Sequence, residues 1–466
     1  MRQAVSRGHA AVFAPLHDGA LRSEAVVQRL AGAIALGLLD DGEQLPSEIE
    51  LATSLRVAVV TLREALADLR SRGLLETRRG RGGGSFVRVS EEALAELARR
   101  RSAELGTTDL RELGETHAAV AGAAARLAAE RATVHDRQRL AATLAGFASA
   151  ERPADRRRID GRLHIEIAAA AQSTRLTRQE VRIQTELAEL QLVPGDPDRW
   201  ATDTLTTHRA VLDAIGDHDG AAARAIAEEH IGRRTRAMID GHIARLGAAV
   251  VRPDGNPVVA ALTPVTHLVD RVFGAVDRLR DCVVGASIDA ARLQAGVRDL
   301  LAENRDIVVG MGMIVAPARR RVLWWQDLGG PEPTALQVDL NPHSLGFYDY
   351  GVAGWFSVPR ASGGRYVDGP YVDVHGTDRY LLTFTMPVVA DGDFVGIVGA
   401  DVPVTRFETH LLRAWGGLDA ELVIVNADDR VVVGNTARAL PGDRHPLAGP
   451  SIRVPSVGWR LSALSG

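Results

Sequence analysis

Residues 45–89 read LPSEIELATSLRVAVVTLREALADLRSRGLLETRRGRGGGSFVRV, and their punctuation decides the fold of the first part of the chain. Pro46 precedes Ser47, and Glu50 follows three residues later. That is the pattern of a capping box, in which the Ser side chain takes an orphan backbone N–H and the Glu reaches back. It predicts a short helix from Ser47 that carries Ile49, Leu51 and Ala52. A second helix follows from about Ala58 to Arg72, with Leu62, Ala65, Leu66 and Leu69 on one face. Two short helices so closely joined predict a helix-turn-helix. LLETRR and SFVRV, separated by a glycine-rich turn, then read as the two strands of a β-wing. Upstream, Val26, Val27, Leu30, Ile34 and Leu38 recur at helical spacing, and Asp41-Gly42 reads as the end of that helix.

Between Arg56 and Arg88 the arginines outnumber the acidic residues, an excess suited to phosphate contact. The start of a recognition helix meets base edges in the major groove, which points to Val60, Thr61 and Arg63. LPSEIELA, TLREAL and GLLETRRGRGGGSFV resemble the winged helix of GntR-family bacterial repressors across the whole of residues 20–90. The resemblance implies DNA contacts from Ser47, Thr61, Arg63, Arg72, Arg78, Arg79 and Arg81, and a double-stranded operator as partner. Two positions depart from the family pattern. Ala58-Val59 stands where Ser-Arg or Thr-Arg is usual, and Ile49 stands where Arg is usual, so an altered operator preference or a weaker grip is expected.

At 466 residues the chain exceeds one ordinary core, and about three domains are expected. A net charge of -4 excludes a chain basic throughout, so nucleic-acid contact must be local. All 55 basic residues are arginine, which reads as coding bias rather than function. The one cysteine, Cys282, permits no internal disulfide. No apolar run long enough for a membrane span and no signal-peptide core are read, so a cytoplasmic protein is expected.

From residue 105 to 246 the pattern is helical, alanine-rich and free of strand-like alternation, which predicts an antiparallel bundle. Asp160 and His164 lie four apart and share a helix face; His208 and His230 fall on two further helices. One carboxylate and three imidazoles meeting in a bundle could hold a divalent metal ion such as zinc or nickel. Their order and spacing resemble the FCD effector domain that follows GntR winged helices, and the resemblance implies that Asp160, His164, His208 and His230 are metal ligands. The family's first-helix Arg and Glu are His117 and Ala121 here, and its Asn after the first metal His is Ser173.

Residues 258–466 combine a long helical pattern, Leu262 to Asn304, with strand signals such as DIVVGMGMIVA, YLLTFTMPVV and FVGIVGADV, which predicts an α+β domain. All five tyrosines of the chain fall between Tyr348 and Tyr380. YDYGVAGWF, GPYVD, LLTFTMPVV and DFVGIVGADV resemble the ligand pocket of a Cache domain, a PAS-like antiparallel sheet behind a long N-terminal helix. The resemblance implies a small-molecule effector held by Tyr348, Trp355, Phe356, Tyr371, Asp373 and Asp401. The arginine that holds the ligand carboxylate in amino-acid-sensing members is Ala353 here, with Arg365 or Arg379 as possible substitutes. Two carboxylates among aromatic faces favour a cation, hence an amine-bearing ligand.

The expectation is a multidomain, non-enzymatic, ligand-responsive transcriptional regulator: winged helix, helical bundle, PAS-like sheet, acting as a homodimer off the membrane. The alternatives are a metal-dependent enzyme using the Asp/His cluster, or a small-molecule binding protein with weakened DNA binding.

Overall fold

The computed structural model describes residues 12, 22–80, 82–190, 196–247, 256–283, 289–316, 321–330, 332–344, 347–374, 377 and 379–464. The chain divides into two units, one of residues up to 105 with 110–241, the other of 106–109 with 242–466.

In the first unit, α1 (Arg22–Leu36) sets Val26, Val27, Leu30 and Ile34 into one core with Leu51, Leu55, Leu62, Leu66 and Leu69 of α2 (Glu48–Leu55) and α3 (Val59–Ser71). Helix α1 stops at Leu36 rather than at Asp41-Gly42. Gly37 takes the left-handed region (φ 72°), and the N–H groups of Gly37 and Leu38 bond back to Ile34 and Ala33. The capping box at Ser47 forms as the sequence predicts. Ile49 is 71% exposed, unlike Leu51 and Ala52. Two residues from Leu51 on a helix is a turn of about 200°, so the two side chains point to opposite sides. Strands β1 (Leu75–Arg78) and β2 (Gly84–Val87) pair antiparallel as the wing. Helix α4 (Glu91–Glu104), capped by Ser90, adds Leu94 and Leu97 to this core.

Six helices follow: α5 (Thr107–Arg131), α6 (Val134–Ser149), α7 (Pro153–Ala170), α8 (Thr174–Leu190), α9 (Pro197–Gly216) and α10 (Gly220–Gly247). Ala124, Ala125, Ala128, Ala129, Ala168 and Ala170 pack with Leu140, Leu163, Val211 and Ile215 in their core. Helix α7 is the central one. It buries residues on nearly every side, including Asp160, His164 and Glu166, and a helix so enclosed must satisfy its polar groups internally.

In the second unit the predicted single long helix is two, α11 (Pro257–Asp281) and α12 (Ala290–Glu303). A fresh N-cap at Asp289 starts the second. By length and composition α11 is apolar enough to cross a membrane, which corrects the expectation that no segment meets that test. Its apolar residues, among them Val265, Val269, Val272 and Phe273, are packed in the core of the unit.

A six-stranded antiparallel sheet runs in the order β5-β4-β3-β8-β7-β6, from β3 (Gly310–Val315), β4 (Val322–Gln326), β5 (Thr334–Ala335), β6 (Tyr366–Val372), β7 (Tyr380–Ala390) and β8 (Asp393–Pro403). One face, with Met311, Met313, Phe384, Val398 and Ala400, meets α11, α12 and α14 (Val404–Trp415). The other carries Ile314, Trp324 and Ile397 and is covered by α13 (Gly354–Ser362). Trp355 and Phe356 lie on that helix. A second sheet, β10-β9-β12-β11, comprises β9 (Leu422–Val425), β10 (Val431–Gly434), β11 (Ile452–Arg453) and β12 (Arg460–Ala463).

Candidate functional site

On the winged helix, the predicted contacts differ in how they are held. Ser47 uses its hydroxyl inside its own cap, 2.7 Å from Glu50 Oε2. Arg63 Nε donates to Glu48 (2.7 Å), Arg72 makes two bonds to Asp68 (2.8 and 2.7 Å), and Arg78 Nε donates to Glu76 (2.8 Å) while its guanidinium lies over the Phe86 ring. Arg79 is exposed and makes no hydrogen bond or ion pair among the described residues. Arg81 lies outside the described residues. Thr61 is half-buried, whereas Val60 beside it at the start of α3 is 65% exposed.

In the bundle, Asp160 and His164 of α7, His208 of α9 and His230 of α10 converge, with one potential ligand atom from each lying within 4.8 Å of the others. All four are buried, Asp160 completely. Asp160 Oδ1 accepts from His208 Nε2 (2.7 Å) and Oδ2 accepts from Arg234 (2.6 Å). Burial alone would raise the Asp160 carboxyl, but Arg234 and the His208 hydrogen bond hold it well below the usual range. Burial pushes His164 down to about 3 and also lowers His230, so both rings are neutral and keep a lone pair.

Nε2 of His164 and Nε2 of His230 are buried without a hydrogen-bond partner among the described residues. Neutral imidazole nitrogens and an ionised carboxylate are the donors a divalent transition metal takes, so the residues present fit such an ion. Next to them, His117 Nε2 lies 3.0 Å from Glu180 Oε1 and 3.1 Å from Gln184. His117, His164 and Glu180 form a second such group. Glu180, Gln184 and Arg234 were not foreseen from the sequence. Glu180 and Gln184 are four apart, as are His230 and Arg234, and that spacing was the available signal.

In the second unit, the sheet register lines up a polar row on the face toward α13. Thr383 pairs with Asp401 across β7 and β8, and Asp401 with Gly310 across β8 and β3. The hydroxyls of Tyr371 and Thr383 are 2.8 Å apart, Thr383 donates to Asp401 Oδ1 (2.8 Å), and Trp324 Nε1 donates to Oδ2 (2.9 Å). Gly310 and Gly399 make room for the Trp324 indole, since a Cβ at either would stand 2.9 Å and 3.2 Å from its atoms. Burial pushes the Asp401 carboxyl up to about 7, despite the Thr383 hydrogen bond and with the charge of Asp373 adding to the rise. Among the described residues its hydrogen bonds come from neutral groups.

Tyr348 stacks on Trp355, ring centroids 6.3 Å apart, and burial together with Asp373 and Asp401 holds the hydroxyls of Tyr348 and Tyr371 well above their usual range. Phe356 is fully enclosed among Tyr350, Trp355 and Phe394. Asp373 accepts from the N–H and hydroxyl of Thr377. Of the two candidate substitutes for the missing arginine, Arg365 lies over Phe273 of α11, the helix packed on the opposite face of the sheet. Arg379 acts on Asp401 through its charge. Asp368, also unforeseen, accepts the N–H of Trp355 (2.9 Å) at the start of α13.

Comparison with known proteins bears on the first half of the chain. The FCD domain model matches residues 112–233, and that of the bacterial regulatory proteins, gntR family, matches residues 22–84. The putative HTH-type transcriptional regulator RmpR of Mycobacterium gastri is 39% identical over 216 residues, 45% of this chain and 77% of that protein. The putative L-lactate dehydrogenase operon regulatory protein of Escherichia coli K12 is 30% identical over 220 residues, 44% of this chain and 82% of that protein. Among solved structures, the ligand-binding domain of the Campylobacter jejuni chemoreceptor Tlp3 in complex with L-norvaline is 9% identical, covering 48% of this chain and 89% of that one at a TM-score of 0.32. With a winged helix at its head, a buried Asp/His cluster behind it and a relative 39% identical over 77% of that relative's length, the chain belongs to the gntR family of bacterial regulatory proteins and is a transcriptional regulator of the FCD type.

Proposed function

We propose that this regulator changes its grip on an operator when an amine-bearing small molecule enters the second unit beside Asp401. The observation that carries the reading is Asp401 itself, a buried carboxylate whose hydrogen bonds among the described residues come from Thr383 and Trp324, close to the rings of Tyr348 and Tyr371. A carboxylate so placed is held toward its neutral form, and a cation brought next to it restores the charged form. Aromatic faces around a cation add about 0.5 to 2 kcal/mol each. Tyr348, Trp355 and Tyr371 are the ring contacts and Asp373 the second carboxylate; Phe356 packs behind them. With Ala353 in place of an arginine, a ligand carboxylate is optional.

In the bundle, Asp160, His164, His208 and His230 would hold zinc or nickel, which would supply a fixed positive charge and open positions for a further ligand. The chain would act as a homodimer, because two recognition helices on half-sites one DNA turn apart multiply specificity. Work on DNA puts it in the cytoplasm. At the operator, Thr61, Arg63 and exposed Val60 would meet base edges, with Arg72, Arg78, Arg79 and Arg81 on phosphates. Ser47 keeps its helix capped.

Calorimetric titration of the full chain with choline, putrescine and L-alanine, against acetate and succinate, tests the effector class. Heats from at least one amine, lost in Asp401→Asn, are expected; heats from the acids alone would refute the amine reading.

A further inference from the structure

We propose that a small oxyanion binds in a cavity of about 220 Å³ in the first unit, where the winged helix, the connecting helix and the bundle meet. Its walls include Leu36 at the end of α1, Glu91 of α4, Arg157 and Arg158 of α7, Gln184 of α8 and Arg234 of α10. Three guanidinium groups therefore face one carboxylate.

Two of the three have unmet donors. Arg157 makes no hydrogen bond or ion pair among the described residues, although it is half-buried; Arg158 beside it repels its charge, and only the more distant carboxylate of Glu91 attracts it. Arg234 gives one nitrogen to Asp160 (2.6 Å), while its Nε is buried without a hydrogen-bond partner among the described residues. Arg158 is better provided, donating to the Ala35 carbonyl (3.2 Å) and lying 3.8 Å from Asp155. Glu91, the one acid in the wall, lies 3.8 Å from Arg152 on its exposed side.

Guanidinium groups remain protonated, so an unpartnered buried one is a standing demand for an acceptor. The ligand that answers it carries two or more oxygens sharing negative charge, which match the planar fork of an arginine. Both carboxylates and phosphates have that chemistry. An occupant would touch α1 of the DNA-binding module and α7 of the bundle at once. Through Arg234 it would also act on Asp160, so the anion and a metal ion on Asp160 would alter each other's affinity by the same factor.

The test is thermal unfolding and calorimetry of the metal-loaded full chain with inorganic phosphate in one arm and succinate in the other. Sodium chloride at matched ionic strength is the control, and bound metal is measured in every sample. A rise in unfolding temperature above the control in either arm supports the site, and which arm responds distinguishes a phosphoryl from a carboxylate ligand. Arg157→Gln should weaken that binding at least tenfold without lowering the unfolding temperature of the ligand-free protein. Glu91→Gln, which removes the opposing carboxylate, should tighten it several-fold. Failure of both anions to exceed the chloride control, or binding unchanged in both variants, overturns the proposal. None of these results depends on the amine reading of Asp401.

Discussion

Two buried polar groups, one in each unit, look alike by composition and differ in what their atoms lack. In the bundle, Asp160 is paired twice, yet the Nε2 atoms of His164 and His230 are buried without a hydrogen-bond partner among the described residues. In the sheet, Asp401 has both oxygens satisfied by Thr383 and Trp324, and no cationic side chain among the described residues is bonded to it. The first arrangement offers lone pairs to an electrophile; the second offers a buried carboxylate to a positive charge. Burial is common to both, so the kind of ligand each awaits follows from the unmet valence rather than from the burial.

The largest effect should come from the bundle. Elemental analysis of the purified full chain should give one zinc or nickel ion per chain, and His164→Ala should give none. Chelation should lower the unfolding temperature, since free metal a thousandfold above its dissociation constant stabilises a fold by about 4 kcal/mol. A metal-free, equally stable protein would break the comparison on this side.

The sheet should respond to pH instead. An Asp unfolds to a group of pKa about 3.9, whereas in the fold burial pushes Asp401 up to about 7. Between those values the folded state holds a proton that the unfolded state has lost. Stability from this group is therefore complete below about pH 4, falls as pH rises toward 7, and changes no further above. Urea unfolding of wild type and Asp401→Asn from pH 4.5 to 8 should show that slope in the wild type alone. The difference should reach at most about 4 kcal/mol, from 1.36 kcal/mol per pH unit. Parallel curves for the two proteins would contradict the assignment.

The same question of unmet partners orders the DNA face. Arg79 has no partner among the described residues, so Arg79→Ala should weaken binding to all sequences alike and lower the salt slope by about 1. Arg78 and Arg88 share Glu76 in the free protein. Glu76→Gln should tighten binding by the worth of an exposed ion pair, about 0.2 to 1 kcal/mol. Anisotropy titrations at several salt concentrations measure both, and equal effects from the two changes would remove the distinction between held and free arginines.

Much of this was legible in the residues. The Ser47 and Glu50 spacing fixed a helix start, and the i, i+4 relation of Asp160 and His164 placed both on one face. Helix ends were less legible, because Gly37 stops α1 through a backbone conformation that many glycines do not adopt. Ile49 is apolar, yet its phase on the helix turns it outward, at the position where the family carries Arg. The aromatic stretch did not announce α13, where tertiary packing of Trp355 and Phe356 overrides their strand preference. Arg234, Glu180 and Thr383 act through partners distant in sequence, and only the packed chain brings them together.

The most direct measurement is operator affinity of the full chain on DNA from upstream of its own gene, at pH 7.5, with and without the amine that gives heat in calorimetry. The account predicts at least a tenfold change in dissociation constant for the wild type and none for Asp401→Asn. Tight DNA binding that the bound amine leaves unchanged in the wild type would contradict it.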